Sequence, residues 1–500
     1  MFWKWVLNNM QTNTKSYIAG ELLKEVRLDK DQSNLEISSI SSDSRNILDK
    51  SIFFAIKGTR WNGNDFIGEA LQKGASLILS DQKKVENKNT IYLSNLRDYL
   101  GIIASRYYEN PSKKLKVFCV TGTNGKTSCV EAISQLSSYM GFPCGYISTI
   151  GVSVDGKEKS EDSKLTTPDS IFIQKTFADM VEKDIKFSAL EVSSHGLSQS
   201  RIAGTSVETA ILTSFSLDHL DFHKSKKNYE LAKKTLFIDF HPKKVILNID
   251  NQFGKKLYKE IKSFSEEVYG ISSNKHADIS VKFKRISEGL NVSIETPFGS
   301  GTFKLKTISK YLALNIVCAI VNFLSQGFDI KELCQASENI KLPQGRMEQI
   351  KINNKSSCFI DFAHTPEALS CSLEEIRETY SGKVFCVFGC GGERDPLKRS
   401  VMGNIAESLA DKVIITNDNP RNEDEDKIIR EILRGFKEPK KVKVIKNRKV
   451  AIEESLKEII QSSEENILLV AGKGHEKQQI IKRKKFAFSD SEVVRSFLDD

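Results

Sequence analysis

Five hundred residues exceed what one hydrophobic core can serve, so about three domains are expected. A composition of 39% hydrophobic and 28% charged residues is that of a soluble globular protein, and no 18-residue apolar run argues for a membrane-inserted helix. Lysine and arginine exceed aspartate and glutamate by nine (74 against 65), which suits anionic substrates such as nucleotides; the densest basic run, Lys482 to Lys485, is short and reads as solvated surface, so no nucleic-acid partner is expected.

Residues 1–112 read as a small α/β unit. Ile40 to Arg45 close a strand in a polar turn. Ser51 to Ile56 form a second strand, stopped by Gly58 to Gly63. A helix over Phe66 to Gly74 leads to the strand Ala75 to Ser80, and a short strand Ile91 to Leu93 precedes an amphipathic helix that ends at Asn110 and Pro111. The polar turns after these strands are candidate ligand contacts.

Residues 113–341 open on a stretch around which the chain is organised. Lys116 to Val120 are a buried strand, Gly122 to Gly125 a glycine-bearing turn, and apolar residues recur at helical spacing from Thr127 onward. Strand, glycine turn, Gly125-Lys126-Thr127 and helix make a phosphate-binding loop. Its amides and helix N-terminus attract an anion, Lys126 adds a full charge, and the Thr127 hydroxyl can reach Mg²⁺. The usual pattern has glycine where this chain has Val120. Phe187 to Val192 is a strand ending in the carboxylate Glu191, well placed to hold the metal of a nucleotide at a strand's carboxyl end. Ala210 to Thr213 lead to Asp218, His219, Asp221 and His223, four ionisable groups in six residues. His219 and His223 allow a zinc site, but carboxylates with phosphates fit Mg²⁺ better. Val245 to Asp250 is a further strand, and residues 278–306 alternate like a small antiparallel insert.

Residues 342–500 carry four buried-type strands at Ser357, Lys383, Lys412 and Asn466, with helical patterns between them, as in a mainly parallel sheet. Polar groups follow the strands: Asp361 with His364, Gly389 to Asp395, Asp418 to Arg421, and Gly472 to Glu476. Arg394 and Arg421 are forks suited to carboxylates, and the whole set favours a zwitterionic small molecule. The nine cysteines include Cys119, Cys318, Cys358 and Cys386 inside apolar runs, and no ligand spacing links them. That is reduced thiol usage, expected of a cytoplasmic chain. Residues 1–10 are apolar but too short for a signal segment.

Taken in order, Thr121 to Thr127, Thr166 to Pro168, Glu191 to His195, Asp218 to Asp221, Gly345 to Glu348, Asp361 to Pro366, Gly389 to Gly392 and Gly472 to Glu476 resemble the Mur ligases across nearly the whole chain. Within that family the resemblance is closest to the MurE branch, which extends UDP-MurNAc-L-Ala-D-Glu. It implies an α/β fold of three domains: a UDP-sugar-binding domain over residues 1–112, a central ATPase domain over 113–341, and a Rossmann-like amino-acid-binding domain over 342–500. It also implies a monomer acting on small-molecule substrates with ATP and Mg²⁺, through an acyl phosphate attacked by the incoming amine.

Carried onto this chain, the resemblance assigns ATP to Gly122, Thr123, Asn124, Gly125, Lys126, Thr127, Ser128, Asn315, Arg346 and Asp361, and Mg²⁺ to Thr127, Glu191 and His219. Lys126, His219 and Lys233 would be the catalytic set. Lys233 lies where the family carries a carbamylated lysine, with Lys234 as its neighbour. The UDP-sugar dipeptide would meet Ser42, Ser44, Thr59, Arg60, Trp61, Thr166, Thr167, Ser193, Gln199 and Arg201. The amino acid would meet Arg394, Asp418, Asn419, Pro420, Arg421, Gly472 and Glu476. Asp418 to Arg421 is the form associated with meso-diaminopimelate, since Arg421 can pair with its extra carboxylate. L-Lysine as the added amino acid, or a folylpolyglutamate synthase-like ligase, are the alternatives. The chain departs from the family pattern at Thr213 to Ser216, at Ser309 to Leu312 and at Asn62 to Asn64.

Overall fold

The computed structural model describes residues 15–58, 61–83, 87–154, 158–159, 165–265, 267–274 and 276–499; Thr59 and Arg60 lie outside them. By mutual contacts the chain forms two compact units. One takes Met1–Cys119, Gly141–Ala210 and Thr235–Lys243, the other Val120–Met140, Ile211–Lys234 and Lys244–Asp500. This division follows contacts and runs through the strand Lys116–Thr121. The expected boundaries near residues 112 and 341 are divisions by chain order.

In the first unit, strands Ser39–Ser41, Ser51–Ala55, Ala75–Ser80 and Thr90–Tyr92 lie side by side in that order, all parallel. Alternation along the second strand sends Ile52 and Phe54 to one face, against Leu96, Leu100 and Ile103 of the helix Leu96–Tyr107. Phe53 and Ala55 go to the other, against Ala70 of the helix Ile67–Gln72. Burial on both faces is why Ser51–Ala55 reads as a continuous apolar run. The first strand ends at Ser41, sooner than expected. Asp43 then caps the turn Ser44–Asn46 by accepting from Arg45 N at 3.0 Å. The same unit holds Cys144–Ser148 parallel to Phe187–Glu191, backed by the helix Ser170–Glu182.

In the second unit, Lys244–Asn248 pairs in parallel with Val268–Ser272, which pairs in parallel with Ile279–Ile286. Gly289–Thr296 and Gly299–Leu305 then add antiparallel strands. The antiparallel insert expected over residues 278–306 is present and continues the parallel strands, joined to them at Ile271 and Ile279. Alternate apolar residues Leu290, Val292 and Ile294 are buried on its inner side.

This unit also holds an antiparallel hairpin, Gln478–Ile481 with Lys484–Ala487, and a six-stranded sheet in the order Glu348–Lys351, Ser357–Asp361, Asn466–Ala471, Lys383–Phe388, Lys412–Ile415, Lys443–Val444; all pairs of the sheet but the first are parallel. Helices Pro366–Thr379, Leu397–Leu409 and Glu425–Leu433 cover one face and Arg448–Gln461 with Asp490–Asp499 the other. Asn466–Ala471, the last strand of this sheet in sequence, lies between Ser357–Asp361 and Lys383–Phe388, so the carboxyl ends of three central strands deliver Asp361, Gly389 and Gly472 to one edge.

Candidate active site

The loop after Lys116–Thr121 is fixed by its neighbours before any ligand arrives. Thr123 N donates to Ser214 O at 3.1 Å, and Asn124 N to Ser214 Oγ at 2.9 Å. Thr213 Oγ1 and Ser214 Oγ donate back to Asn124 O at 2.6 and 2.9 Å. Thr123 Oγ1 bonds Ser216 O and the Tyr229 hydroxyl, both at 2.9 Å. Each bond contributes about 0.5–1.5 kcal/mol net, enough together to set one loop shape. The departure at Thr213 to Ser216 thus supplies anchors of its own. Gly125 has φ +85°, a left-handed conformation, and no side chain caps the helix Lys126–Tyr139 that it opens. Lys126 Nζ lies on the loop, donating to Gly122 O and Thr123 O at 3.1 and 3.0 Å.

A cavity of about 270 Å³ opens beside the loop. Asn124, Gly125, Ser128, Asn315, Arg346 and Asp361, six of the residues assigned to ATP, line it together. The helix Lys310–Ser325, capped by Ser309 through a bond from Leu312 N, presents Asn315. Among the described residues the buried Asn315 Nδ2 has no hydrogen-bond partner, which makes it a donor suited to an acceptor on a ligand ring. Asp361 is buried at its strand end. Tyr311 OH and Met347 N donate to its Oδ1 at 3.1 Å each, and Ser372 Oγ to its Oδ2 at 2.6 Å. Burial raises the Asp361 carboxyl above its ordinary range despite those donors. The Arg346 guanidinium stacks 4.4 Å over the Phe362 ring. Tyr311, which lines this cavity, carried no sequence signal beyond its place in a departure from the family pattern.

Lys233 and Lys234 separate clearly. Lys234 is partly exposed and pairs with Glu260 at 2.5 Å. Lys233 is buried; its Nζ donates to Gly122 O at 2.8 Å and lies 4.8 Å over the Tyr229 ring. Burial, then the charge of Lys126, holds the Lys233 amine well below the ordinary lysine range. His219 has φ +56° and starts the short helix Leu220–His223, with His219 N donating to Asp218 Oδ1 at 2.8 Å. Asp218 is buried, with the His219 and His364 rings at 3.6 and 3.7 Å and the Lys398 ammonium at 3.8 Å. Burial pushes its carboxyl up. The His364 hydrogen bond and the Lys398 and His219 charges outweigh that and hold it below the usual range. Lys398 went unnoticed in the sequence because its partner is 180 residues away. His223 is buried against the Tyr229 and Phe222 rings.

In the first unit, Glu191 ends its strand buried, with Thr149 N and Oγ1 donating to its Oε2 at 3.0 and 3.1 Å. Thr149 Oγ1 also bonds Thr166 Oγ1 at 3.2 Å. Thr167 Oγ1 bonds Glu191 O and Ser193 Oγ, and Arg201 donates to Thr167 O and to the Gln199 side chain, both at 2.7 Å. Five of the residues assigned to the UDP-sugar dipeptide therefore form one network with Glu191. Ser42 lines a separate cleft of about 730 Å³, Ser44 is buried near Glu69, and Trp61 is 76% exposed. Thr59 and Arg60 fall outside the described residues.

The amino-acid residues gather at the sheet edge. A Cβ on Gly391 would stand 3.0 Å from Arg421 Nη1, 3.6 Å from Arg394 Cγ and 3.7 Å from Asp418 Oδ1; one on Gly472 would stand 2.9 Å from Asp418 Oδ2. Asn419 Nδ2 donates to Glu476 Oε2 at 2.8 Å. Arg421 Nη1 donates to Gly392 O at 2.7 Å, and burial with the Arg394 charge lowers the Arg421 guanidinium from its ordinary value. Arg421 itself has φ +54°, which costs a residue with a side chain about 1–2 kcal/mol. Lys473 was not assigned a role from sequence, yet it is wholly buried and bonds both Asn419 and Glu476.

Among the described residues no cluster of three or more His, Cys, Asp or Glu forms a metal cage, and no helix is long and apolar enough to cross a membrane. Eight of the nine cysteines are buried and Cys371 is exposed.

Comparison with known proteins fits this layout. Models of the Mur ligase family catalytic domain, the Mur ligase middle domain and the Mur ligase glutamate ligase domain match residues 36–108, 120–322 and 345–474. The UDP-N-acetylmuramoyl-L-alanyl-D-glutamate–2,6-diaminopimelate ligase of Buchnera aphidicola subsp. Acyrthosiphon pisum is 37% identical over 478 residues, 92% of this chain and 95% of that protein. The chain belongs to the Mur ligase family. The ligase of the same name from Buchnera aphidicola subsp. Schizaphis graminum is 36% identical over 98% of this chain and 99% of its own. A solved structure of a UDP-N-acetylmuramoyl-L-alanyl-D-glutamate–2,6-diaminopimelate ligase superposes with a TM-score of 0.71 at 28% identity, covering 97% of this chain and 99% of that one. The chain thus has the three-domain α/β architecture of these ligases. A folylpolyglutamate synthase of Mycobacterium tuberculosis, 16% identical with a TM-score of 0.61, covers 76% of this chain and 92% of its own and shows the shared fold.

Proposed function

We propose that this Mur ligase uses ATP to join meso-diaminopimelate to UDP-N-acetylmuramoyl-L-alanyl-D-glutamate, a step of peptidoglycan-precursor synthesis. The observation that carries the reading is near-full-length identity with ligases named for that reaction. The guanidinium of Arg421 beside Asp418 and Arg394 supports the choice of amino acid, because diaminopimelate has a second carboxylate and L-lysine does not. In this reading the chain is a cytoplasmic monomer.

The phosphate-loop amides and Lys126 hold the β- and γ-phosphates, and the cavity lined by Asn315 takes the base. The glutamyl carboxylate attacks the γ-phosphorus, the bond to ADP breaks, and an acyl phosphate forms. The amine of diaminopimelate then attacks the acyl carbon, loses a proton, and the tetrahedral adduct expels phosphate. Fixed charges facing the phosphoryl group stabilise both steps. Arg421 and Asp418 orient the amino acid so that one amine faces the acyl carbon. The hydroxyl of Thr127, carboxylate of Glu191 and imidazole of His219 are a donor set that, with phosphate oxygens, suits Mg²⁺ more than a thiolate-seeking metal. Bound there, Mg²⁺ would supply neutralising charge to the phosphates. His223 faces an aromatic cluster, which disfavours it as a zinc ligand.

Burial, and then the charge of Lys126, lowers the Lys233 amine well below the ordinary lysine range, which favours its neutral, nucleophilic form. As the neutral amine it can add to CO₂ and release a proton, leaving a carbamate anion beside the phosphate loop. The whole reading is tested by omission: phosphate release should require ATP, the UDP-linked dipeptide and diaminopimelate together, with a product heavier by one diaminopimelyl residue. Release without the UDP-linked dipeptide would contradict it.

A further inference from the structure

Resting on the reading that Asp418 to Arg421 receives the amino acid, we infer that the exposed hairpin of Gln478–Ile481 and Lys484–Ala487 is a clamp that holds this loop in its binding form. The hairpin is antiparallel, with Gln479 opposite Phe486 and Ile480 opposite Lys485, and its two-residue turn places Lys482 and Arg483 at φ +45° and +64°. One edge of Gln478–Ile481 pairs within the hairpin. The other edge grips the loop. Arg421 N donates to Ile480 O at 3.0 Å, and Lys482 N to Arg421 O at 2.7 Å. Ile480 N donates to Asn419 Oδ1 at 2.9 Å, and Gln479 Nε2 to Asp418 O at 2.7 Å. Lys473 closes the arrangement from beneath. Its buried Nζ reaches Asn419 Oδ1, Glu476 Oε2 and Gln478 O at 3.1, 2.7 and 2.8 Å.

The physical argument is the backbone of Arg421. A left-handed arginine persists only where its surroundings over-determine it. Here both its N–H and its C=O are fixed by the hairpin, and the guanidinium direction toward Gly392 follows from that backbone. Released from the hairpin, the loop relaxes toward conformations that do not present Arg421. A binding-competent form populated only in part weakens apparent affinity by that fraction, without changing the chemistry once the substrate is bound. Gln479 and Lys473 are therefore positioning residues for the amino acid.

The test uses the full-length enzyme with meso-diaminopimelate, or whichever amino acid the wild type turns over. Gln479→Ala should raise the KM for the amino acid about three- to tenfold, the loss of one net hydrogen bond. Its kcat and its KM for ATP should stay within twofold. Lys482→Pro removes the N–H that meets Arg421 O and cannot adopt φ +45°, so it breaks the turn as well as the bond and should raise the same KM further. Arg483→Gly, which suits the turn better and removes no bond to the loop, should leave it unchanged. An unchanged amino-acid KM in Gln479→Ala, or an equal rise for ATP, overturns the clamp; if Lys482→Pro does not fold, Gln479→Ala decides alone. A raised KM in Arg483→Gly also overturns it, since tip charge would then be the active feature. Arg421→Ala serves as the separate arm. If it leaves the amino-acid KM intact, the substrate reading fails, whatever the hairpin variants do.

Discussion

Gly125→Ala probes the phosphate loop where its geometry is most demanding. An alanine at φ +85° loses about 1–2 kcal/mol to backbone strain. Its Cβ would also stand 2.5 Å from Asn315 Oδ1, 2.7 Å from Nδ2 and 2.9 Å from Cγ. Those three atoms are the whole amide, on a buried side chain, so it cannot swing clear without leaving the cavity wall; such overpacking typically costs about 1–3 kcal/mol. The sum is roughly 2–5 kcal/mol against the native loop. Even the lower bound, at about 1.4 kcal/mol per decade, predicts a KM for ATP up roughly 30-fold. The assay is steady-state phosphate release with ATP varied, run as a double-mutant cycle with Asn315→Ala. In the Asn315→Ala background the overlap is gone, and Gly125→Ala should cost only its backbone share of about 1–2 kcal/mol, roughly 5- to 30-fold. An equal cost in both backgrounds, or a single mutant within threefold of wild type, would refute the argument that Asn315 reserves this position for glycine.

Arg421→Ala leaves one substrate carboxylate without its charged partner; the KM for diaminopimelate should rise roughly 10- to 200-fold while that for ATP stays within threefold, as steady-state kinetics will report. Lys233→Ala should reduce kcat about 100-fold or more, with partial recovery on adding a short carboxylic acid; near-normal activity in the unsupplemented mutant would reject a carbamate at this position. Burial pushes the Glu375 carboxyl up to about 8 from 4.5, while it accepts Lys310 N at 2.6 Å. Between those values the folded form holds a proton that the unfolded form has lost. Its contribution to stability is thus complete below about pH 4.5 and lost as pH rises through about 8. Glu375→Gln keeps the neutral acceptor at every pH, so its Tm advantage over wild type should widen by several degrees between pH 5 and 8; a gap that is flat with pH would contradict the raised value.

The sequence was most legible where burial writes a pattern. Lys116–Thr121, Phe187–Glu191 and Ser357–Asp361 are largely apolar and, Lys116 apart, buried along their length because both faces of their sheets are covered. Polar residues at their ends could then be read as ligand contacts, and Asn315, Arg346 and Asp361 do share one cavity with the phosphate loop. Periodicity could not tell Lys233 from Lys234: both lie in one helix, and only packing under Gly122 O decides which is buried. Residues 278–306 showed antiparallel alternation, but nothing local encodes that Ile279 pairs in parallel with Ile271. Lys473, Gln479 and Lys398 stayed silent because their partners, Asn419, Asp418 and Asp218, are more than 50 residues away. The meaning of Thr213 and Ser214 was likewise hidden: a departure in the motif becomes two hydroxyls on Asn124 O once the strands are side by side.

The most direct test of the central claim is phosphate release by the purified chain with ATP and UDP-N-acetylmuramoyl-L-alanyl-D-glutamate, comparing meso-diaminopimelate with L-lysine as the added amino acid. The account predicts that diaminopimelate is used roughly 10- to 200-fold more efficiently by kcat/KM, which corresponds to about 1.5–3 kcal/mol for one charge-assisted contact to its second carboxylate. Turnover with L-lysine equal to or better than that with diaminopimelate would contradict the role given to Arg421.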